Sequence, residues 1–392
     1  MVILFAANHY IEYGKPAQGF TVYLYRVTQA LLKMGHIPII VAGGNKDVYH
    51  KKDGIEIYEV GLVDTYNNED PYKLIKDSLK LSYRINRKIK EISKTRIIDI
   101  IQFTSLSHLA FFYYGKIPSV LRLSSYSKIA YENNQTFSSR MIRALTMAEL
   151  LSAKRCNVVF APSRVTANAF AKDFGKKVAV IESPFFYDVD ELDDSVYNKI
   201  LLKKKYALFF GRLYAEKGIL VIADILYDFL KANKEYYVVF CGKDELIKGK
   251  NAKSILRAAA KNFKDRLIFI DSLPHKRLYP IIKKSEFIIL PSIMENFSNA
   301  CVEAMYLKKI VIGTDGASFE QLIRDGENGL LCQINNPQSL LEKMQVAANL
   351  DDEKKRIMEY QAYQRIKRLR PEKVVGRLVK LYEYVLSRNR KY

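Results

Sequence analysis

Several protein classes need more than this sequence contains. Four cysteines occur in 392 residues, Cys156, Cys241, Cys301 and Cys332, far apart and without a C-x-x-C pair. That spacing excludes a disulfide framework and a structural zinc site. Each thiol reads as a small buried hydrophobe, and the set suits a reducing compartment. No apolar run approaches the ~20 residues that span a bilayer, so no transmembrane helix is expected. Residues 1–7 are a short apolar stretch with neither a basic lead-in nor a cleavage site. The expected location is therefore the cytoplasm, with peripheral attachment to the inner membrane face left open. Tryptophan is absent, which decides nothing by itself. There is no short-period repeat, low-complexity tract, zinc finger, homeodomain or aromatic ribonucleoprotein motif.

Acidic side chains are also scarce: 42 Asp and Glu stand against 63 Lys and Arg, a net charge of +21. Such a surface favours polyanions, whether nucleic acid, an anionic membrane face or a phosphorylated small molecule. A lysine-rich but merely solvated surface gives the same count. A hydrophobic share of 49% and a charged share of 27% place the chain among globular proteins, and its length allows two or three domains.

What is present is alternation. Residues 1–7 read as a buried strand and residues 19–34 as a helix with Leu24, Val27, Leu31 and Leu32 on one face. Gly35 and His36 end that helix. Further strands are expected at 38–42, 55–60, 98–103, 119–123, 158–161 and 177–181. The pattern breaks over 182–205, read as a linker, and restarts with strands at 206–210, 236–241, 267–270, 287–290, 310–314 and 329–332. Helical spacing runs over 217–232, and a basic amphipathic helix over 371–388. Strand–helix–strand rhythm implies parallel sheets covered on both faces. The fold class is therefore α/β, with two doubly wound Rossmann-like domains facing across a cleft. The expected boundaries are 1–185, 186–370, and a terminal helix at 371–392 packing back toward the first domain. Open parallel sheets bind ligands at the carboxyl edge of their strands.

Three segments in the second half carry chemistry. In the first, a strand ends at Gly211, followed by Arg212 and by Glu216-Lys217-Gly218 at a helix start. Two cations at that place suit a diphosphate, although a solvated loop is the commoner cause of such a pair. In the second, Pro291 and Ser292 end a strand, Glu295 follows in the loop, and a helix begins near Ser298, with Ser298 or Ser292 as its cap. Glu303 lies within that helix. The amides of Phe297, Ser298 and Asn299 would face the loop opening at the positive helix end. As an isolated pair, the two glutamates are more often a loop acid and a solvated helix residue. The third segment, Gly313 through Asp315, Gly316 and Glu320 to Asp325, Gly326, Glu327, Asn328 and Gly329, fits an ordinary α/β connection equally well.

Taken in order, these pieces resemble the retaining twin-Rossmann glycosyltransferases of the GT-B fold, family 4-like, also called glycosyltransferase group 1. The first half adds Gln18-Gly19, Gly35-His36, Ala161-Pro162-Ser163 and Ile181-Glu182-Ser183-Pro184. The resemblance implies transfer of a sugar from a nucleoside-diphosphate donor, a UDP-sugar ahead of a GDP-sugar, to a glycan or lipid-linked acceptor in bacterial cell-surface polysaccharide or glycolipid synthesis. Arg212 and Lys217 would hold the diphosphate, and Glu303 the ribose. Glu295 and the backbone of Phe297, Ser298 and Asn299 would hold the sugar, while Gly19 and Gly211 allow close backbone approach. No resident cofactor and no metal are implied. The pair Asp188-x-Asp190 lies in the linker and follows no strand of the right context for metal-dependent transfer.

Many family members carry a His where this chain has Ser124, so a catalytic histidine is not expected there, and the leaving phosphate can take the acceptor proton. His108 and Ser124 remain acceptor candidates beside residues 10–19 and 126–134. The basic segment 84–90 has an apolar face suited to anionic lipid, or is an ordinary surface helix. A sugar-nucleotide epimerase on the same fold and a basic nucleic-acid-binding protein are the alternatives, nucleic acid being supported by charge alone.

Overall fold

The computed structural model describes residues 1–10, 19–61, 71–132, 137–187 and 189–389. The chain forms two compact units, Met1–Phe186 with Leu369–Tyr392, and Tyr187–Arg368.

The first unit is built on β1 (Val2–Ala7), β2 (Ile37–Gly44), β3 (Val48–Lys52), β4 (Ile55–Gly61), β5 (Ile100–Thr104), β6 (Ser119–Arg122), β7 (Val158–Ala161) and β8 (Ala179–Val180). Their order is β3-β4-β2-β1-β5-β6-β7-β8. β1 is continuously apolar because parallel strands are covered on both faces. One face packs α2 (Pro71–Ile92) through Leu81, Ile85 and Ile89, together with α5 (Arg164–Phe174) through Phe170. Ser163 caps α5 by accepting the Thr166 amide at 3.3 Å, and Gly175, at φ +71°, ends it. α1 (Gly19–Lys33) pairs with α13 (Pro371–Asn389). The Tyr382 hydroxyl donates to Gln102 Oε1 at 2.6 Å, and Gln102 Nε2 donates to the Tyr23 hydroxyl at 3.2 Å. That buried relay joins α13, β5 and α1. The remaining helices are α3 (Ser127–Glu132) and α4 (Ser139–Lys154).

Two local expectations are corrected. No strand was expected at 48–52, yet β3 pairs antiparallel with β4. Asp53 and Gly54, both at positive φ, close that hairpin. Its polar residues mark an edge strand, which a search for buried apolar runs passes over. Residues 182–205 are not wholly linker, since α6 (Ser195–Ile200) lies within them.

The second unit carries β9 (Lys205–Phe210), β10 (Tyr236–Cys241), a small hairpin of β11 (Leu246–Ile247) and β12 (Lys250–Asn251), then β13 (Leu267–Ile270), β14 (Phe287–Leu290), β15 (Val311–Asp315) and β16 (Leu330–Gln333). The main sheet is ordered β13-β10-β9-β14-β15-β16, and its pairings are parallel. Counted along the sheet, the strands run 3-2-1-4-5-6. The order reverses between β9 and β14, the place in an open parallel sheet where ligand sites form at the carboxyl ends of the strands. Helices α7 (Ile219–Ala232), α8 (Ala252–Ala259), α9 (His275–Lys284), α10 (Asn299–Tyr306), α11 (Pro337–Ala348) and α12 (Asp352–Lys367) flank the sheet. The core centres on fully buried Phe209, Phe229, Phe240 and Phe287, each contributing ~1.5–3 kcal/mol by burial.

Candidate active site

The site of the second unit assembles from loops at the reversal between β9 and β14. β9 is followed by Gly211, whose φ of +131° favours glycine. The loop is pinned where the Leu213 amide donates to the Lys243 carbonyl at 2.9 Å. A 3₁₀ turn at Ala215–Lys217 leads to Gly218 at φ +76°. A Cβ on Gly218 would overlap the Pro291 carbonyl oxygen, so this loop lies directly against the start of the loop after β14. The Ile293 amide donates to the Glu216 carbonyl at 2.9 Å and fastens the two together.

That fastening sets the charges. Lys217 Nζ pairs with Glu295 Oε1. The same oxygen accepts the Ser292 hydroxyl at 3.1 Å, and the Glu295 carbonyl accepts the Ser318 hydroxyl at 2.9 Å. Burial works against the Lys217 charge, but the Glu295 carboxylate more than offsets it and holds the ammonium above the ordinary lysine range. Arg212 is exposed, its guanidinium 4.5 Å from the Tyr214 ring centroid, and its charge is felt at Lys217. The result is two cations and one carboxylate on a frame of backbone hydrogen bonds.

α10 supplies the other side. Ser298 is its cap and accepts the Cys301 amide at 3.3 Å, so the cap is Ser298 and not Ser292. The amides of Asn299 and Ala300 then head the helix without an intrahelical acceptor. Phe297 is half-buried just ahead. Glu303 is 8% exposed, with Oε1 3.8 Å from His275 Nε2. A solvated helix position is thereby excluded for Glu303, and a free loop acid for Glu295.

The structure therefore gathers Gly211, Arg212, Lys217, Glu295, Phe297, Ser298, Asn299 and Glu303 on the loops and first helical turns after β9 and β14. Four participants were missed. Ser292 was considered only as a helix cap, and Ser318 sat in a segment that fitted a plain connection. Ser318 adopts φ +70°, strain that no residue-type pattern signals for a serine. His275 stacks on Tyr279 (centroids 4.9 Å apart, 10° between planes), and Tyr279 stacks on Tyr187. Their only sequence signal is position just after β13. The turn at 325–329 is structural: Asn328 Oδ1 accepts the Arg324 amide at 2.6 Å, and Asp325 Oδ1 accepts the Leu331 amide at 2.8 Å.

The first unit has its own strand-end cluster. Gly19 opens α1 and is exposed, while residues 11–18, which were grouped with it, lie outside the described residues, as do Asn134 and Asp188. Ser124 Oγ lies 2.7 Å from Thr104 Oγ1 and accepts Arg122 at 3.0 Å. Arg122 is buried over the Tyr23 ring, 3.7 Å from its centroid. His108 is 5% exposed, and burial pushes its pKa down to about 4, so the ring is neutral at neutral pH and lies beneath the surface. Glu149, which the sequence did not single out, is buried; burial lifts its carboxyl to about 7 while the Ser127 amide donates to it at 2.9 Å. Among the described residues no three His, Cys, Asp or Glu side chains cluster as a metal site.

The family model described as glycosyl transferases group 1 matches residues 193–365, and that of glycosyltransferase family 4 matches residues 17–185. An uncharacterized glycosyltransferase of Haemophilus influenzae is 23% identical over 337 residues, covering 82% of this chain and 84% of that protein. An uncharacterized glycosyltransferase of Methanocaldococcus jannaschii is 29% identical over 178 residues, 45% of this chain and about half (48%) of the relative's length. Sucrose-phosphate synthase from Thermosynechococcus elongatus superposes with a TM-score of 0.74 at 16% identity, over 98% of this chain and 99% of that one. An Anabaena protein solved with UDP and glucose gives 0.69 at 16% identity, over 98% and 100%. At these identities the solved structures speak to the fold.

Proposed function

Because the chain belongs to the group 1 glycosyltransferases of the GT-B fold, we propose that it moves a sugar from a nucleoside-diphosphate donor to a hydroxyl of a glycan or lipid-linked acceptor, with retention at the anomeric carbon. One observation carries this reading: the Lys217–Glu295 pair, clamped between the loops after β9 and β14 where the strand order reverses.

The leaving group sets the electrostatic demand. As the bond from the anomeric carbon to the diphosphate oxygen breaks, negative charge grows on the departing diphosphate. Lys217 and Arg212 are placed to meet it, and cations fixed in advance stabilise that charge without reorganisation. Lys217 is already protonated and held by Glu295, so the donor's phosphates join an existing charge pair. The Asn299 and Ala300 amides at the head of α10 add positive potential. Glu303 offers its remaining lone pairs to the ribose hydroxyls. The acceptor oxygen bonds to the anomeric carbon on the face the diphosphate leaves, and its proton passes to a departing phosphate oxygen. Atoms and charge balance without a protein base, which accords with a neutral, buried His108.

A UDP-sugar is preferred over a GDP-sugar; the Anabaena protein of like fold solved with UDP and glucose supports that order. We assign the acceptor to the first unit, where Ser124 offers a hydroxyl just past β6, and place the reaction in cell-surface polysaccharide or glycolipid assembly. The test is thermal-shift screening against UDP-, GDP- and ADP-sugars, with mass spectrometry of donor hydrolysis and NMR of the product anomer. Stabilisation by one nucleotide sugar and release of its diphosphate support the reading; an inverted product removes the retaining step. Interconversion of the donor sugar without transfer would replace it with an epimerase.

A further inference from the structure

One face of the first unit is left unused by this chemistry. On α2 the exposed positions recur at helical spacing through Lys76, Lys80, Tyr83, Arg87 and Lys90. On α4 they run through Arg140, Arg143, Met147, Leu151 and Lys154. Each stripe has the same grammar, an apolar or aromatic centre with cations on both sides. The centres are open to solvent: Tyr83 is 57% exposed, Met147 55% and Leu151 41%.

The two stripes belong to one surface. The 3₁₀ turn Leu106–His108 packs against both helices. Beyond it, the Leu109 carbonyl accepts Ser82 Oγ at 2.9 Å and Asn86 Nδ2 at 2.7 Å, which fixes the following segment along α2. Phe112 meets Tyr83 edge-on, with centroids 6.0 Å apart. At the other end Tyr114, 70% exposed, accepts Arg155 of the α4 cap at 2.8 Å. An aromatic bridge thus links one basic helix to the other.

Among the described residues, the acids of this face are buried or paired with its own cations. Glu149, the acid of α4, is buried. On α2, Asp77 is buried, Glu91 is tied to Lys88 at 2.8 Å, and Arg84 holds Asp47 at 2.6 Å. Among the described residues of α2 and α4, exposed cations outnumber exposed acids. Exposed Tyr, Met and Leu ringed by Lys and Arg have the chemistry of the headgroup layer of a bilayer, where apolar groups enter and long cationic side chains extend to lipid phosphates.

We propose that this face of the first unit is a membrane-docking surface for anionic phospholipid, with Tyr83, Tyr114, Met147 and Leu151 entering the headgroup layer and the flanking cations meeting lipid phosphate. The assignment does not depend on the transferase reading. The segment 84–90 picked out in the sequence is one part of it, and α4 with the aromatic bridge is the rest.

The experiment is co-sedimentation of the full-length protein with vesicles of phosphatidylcholine alone or mixed with phosphatidylglycerol. The expected result is binding to the mixed vesicles and little to phosphatidylcholine. Arg87→Glu, Arg143→Glu and Lys154→Glu together weaken that binding roughly ten- to hundredfold or more. Met147→Ser with Leu151→Ser weakens it about tenfold and leaves the charge unaltered. The control reverses three exposed lysines of the second unit, Lys203→Glu, Lys234→Glu and Lys250→Glu, and retains binding. All substituted side chains are exposed, and thermal melts check that each variant folds. The proposal is overturned if mixed vesicles are not bound, if the control weakens binding as much as the α2 and α4 set, or if the serine pair changes nothing. It is also overturned if random duplex DNA displaces the vesicles through the same residues, which would make the face a nucleic-acid surface.

Discussion

Replacing Lys217 by alanine is the sharpest test of the donor site. The ammonium is fixed before substrate arrives: Glu295 holds it, Ser292 holds the same carboxylate oxygen at 3.1 Å, and Ser318 holds the Glu295 carbonyl at 2.9 Å. A charge preorganised in this way acts mainly on the transition state. Its loss should lower kcat by about 10²–10³-fold, or ~3–4 kcal/mol, with a smaller change in donor KM. The cost to folding is smaller. The Lys217 and Glu295 side chains are 28% and 13% exposed, so breaking the pair falls below the ~3–5 kcal/mol of a fully buried one, at about 1–2 kcal/mol. A companion variant separates charge from shape. In Glu295→Gln the burial of Lys217 is no longer offset, so its pKa falls below the lysine range and the alkaline limb of the pH–rate profile moves to lower pH. The sign for stability agrees: the pair raises the folded-state pKa of Lys217 above 10.5, so its contribution is complete below that value and is lost as pH climbs through the folded pKa. Steady-state donor turnover and thermal melts measure both. If Lys217→Ala keeps kcat within tenfold of wild type, or if the Glu295→Gln limb stays in place, the electrostatic argument fails.

Ser318→Ala loses the hydroxyl to Glu295 and keeps the Cβ strain of φ +70°, whereas Ser318→Gly loses the hydroxyl and relieves that strain. The alanine variant should therefore be less stable than the glycine one by about 1 kcal/mol, and both should raise donor KM; equal melting temperatures would show that the backbone strain is not real. Glu149 has its folded pKa raised to about 7. The folded state therefore binds the proton more tightly than the unfolded chain, and stability drops as pH rises between the carboxylate range and 7. Glu149→Gln keeps the acceptor for the Ser127 amide and should stabilise the protein by up to about 3 kcal/mol at pH 8, with little effect at pH 4; denaturant unfolding at the two pH values decides. A chelator should leave transfer unchanged, and full inactivation reversed by added metal would contradict the metal-free proposal.

Much of the architecture was legible because it depends on neighbours close in sequence. Continuous apolar runs such as residues 2–7 mark strands covered on both faces. The spacing of Leu24, Val27 and Leu31 marks the face of α1. Ser298 ahead of a helix and Gly211 at a strand end declare a cap and a turn by their own chemistry. These signals span a few residues, so they survive without knowledge of the rest of the chain. The polar edge strand β3 escaped for the same reason, since nothing local requires it to pair.

The sequence by itself determined the elements and the residue types that end them. Tertiary structure alone decided which of those ends meet. Lys217 and Glu295 are 78 residues apart and touch because β9 and β14 are neighbours in the sheet. Strand order follows from long-range burial of whole faces, which no period in the chain encodes. His275 opposite Glu303, Ser318 beneath Glu295, and the aromatic bridge between α2 and α4 are of the same kind. In each, separate loops are carried into contact by strands and helices whose own formation required none of those side chains.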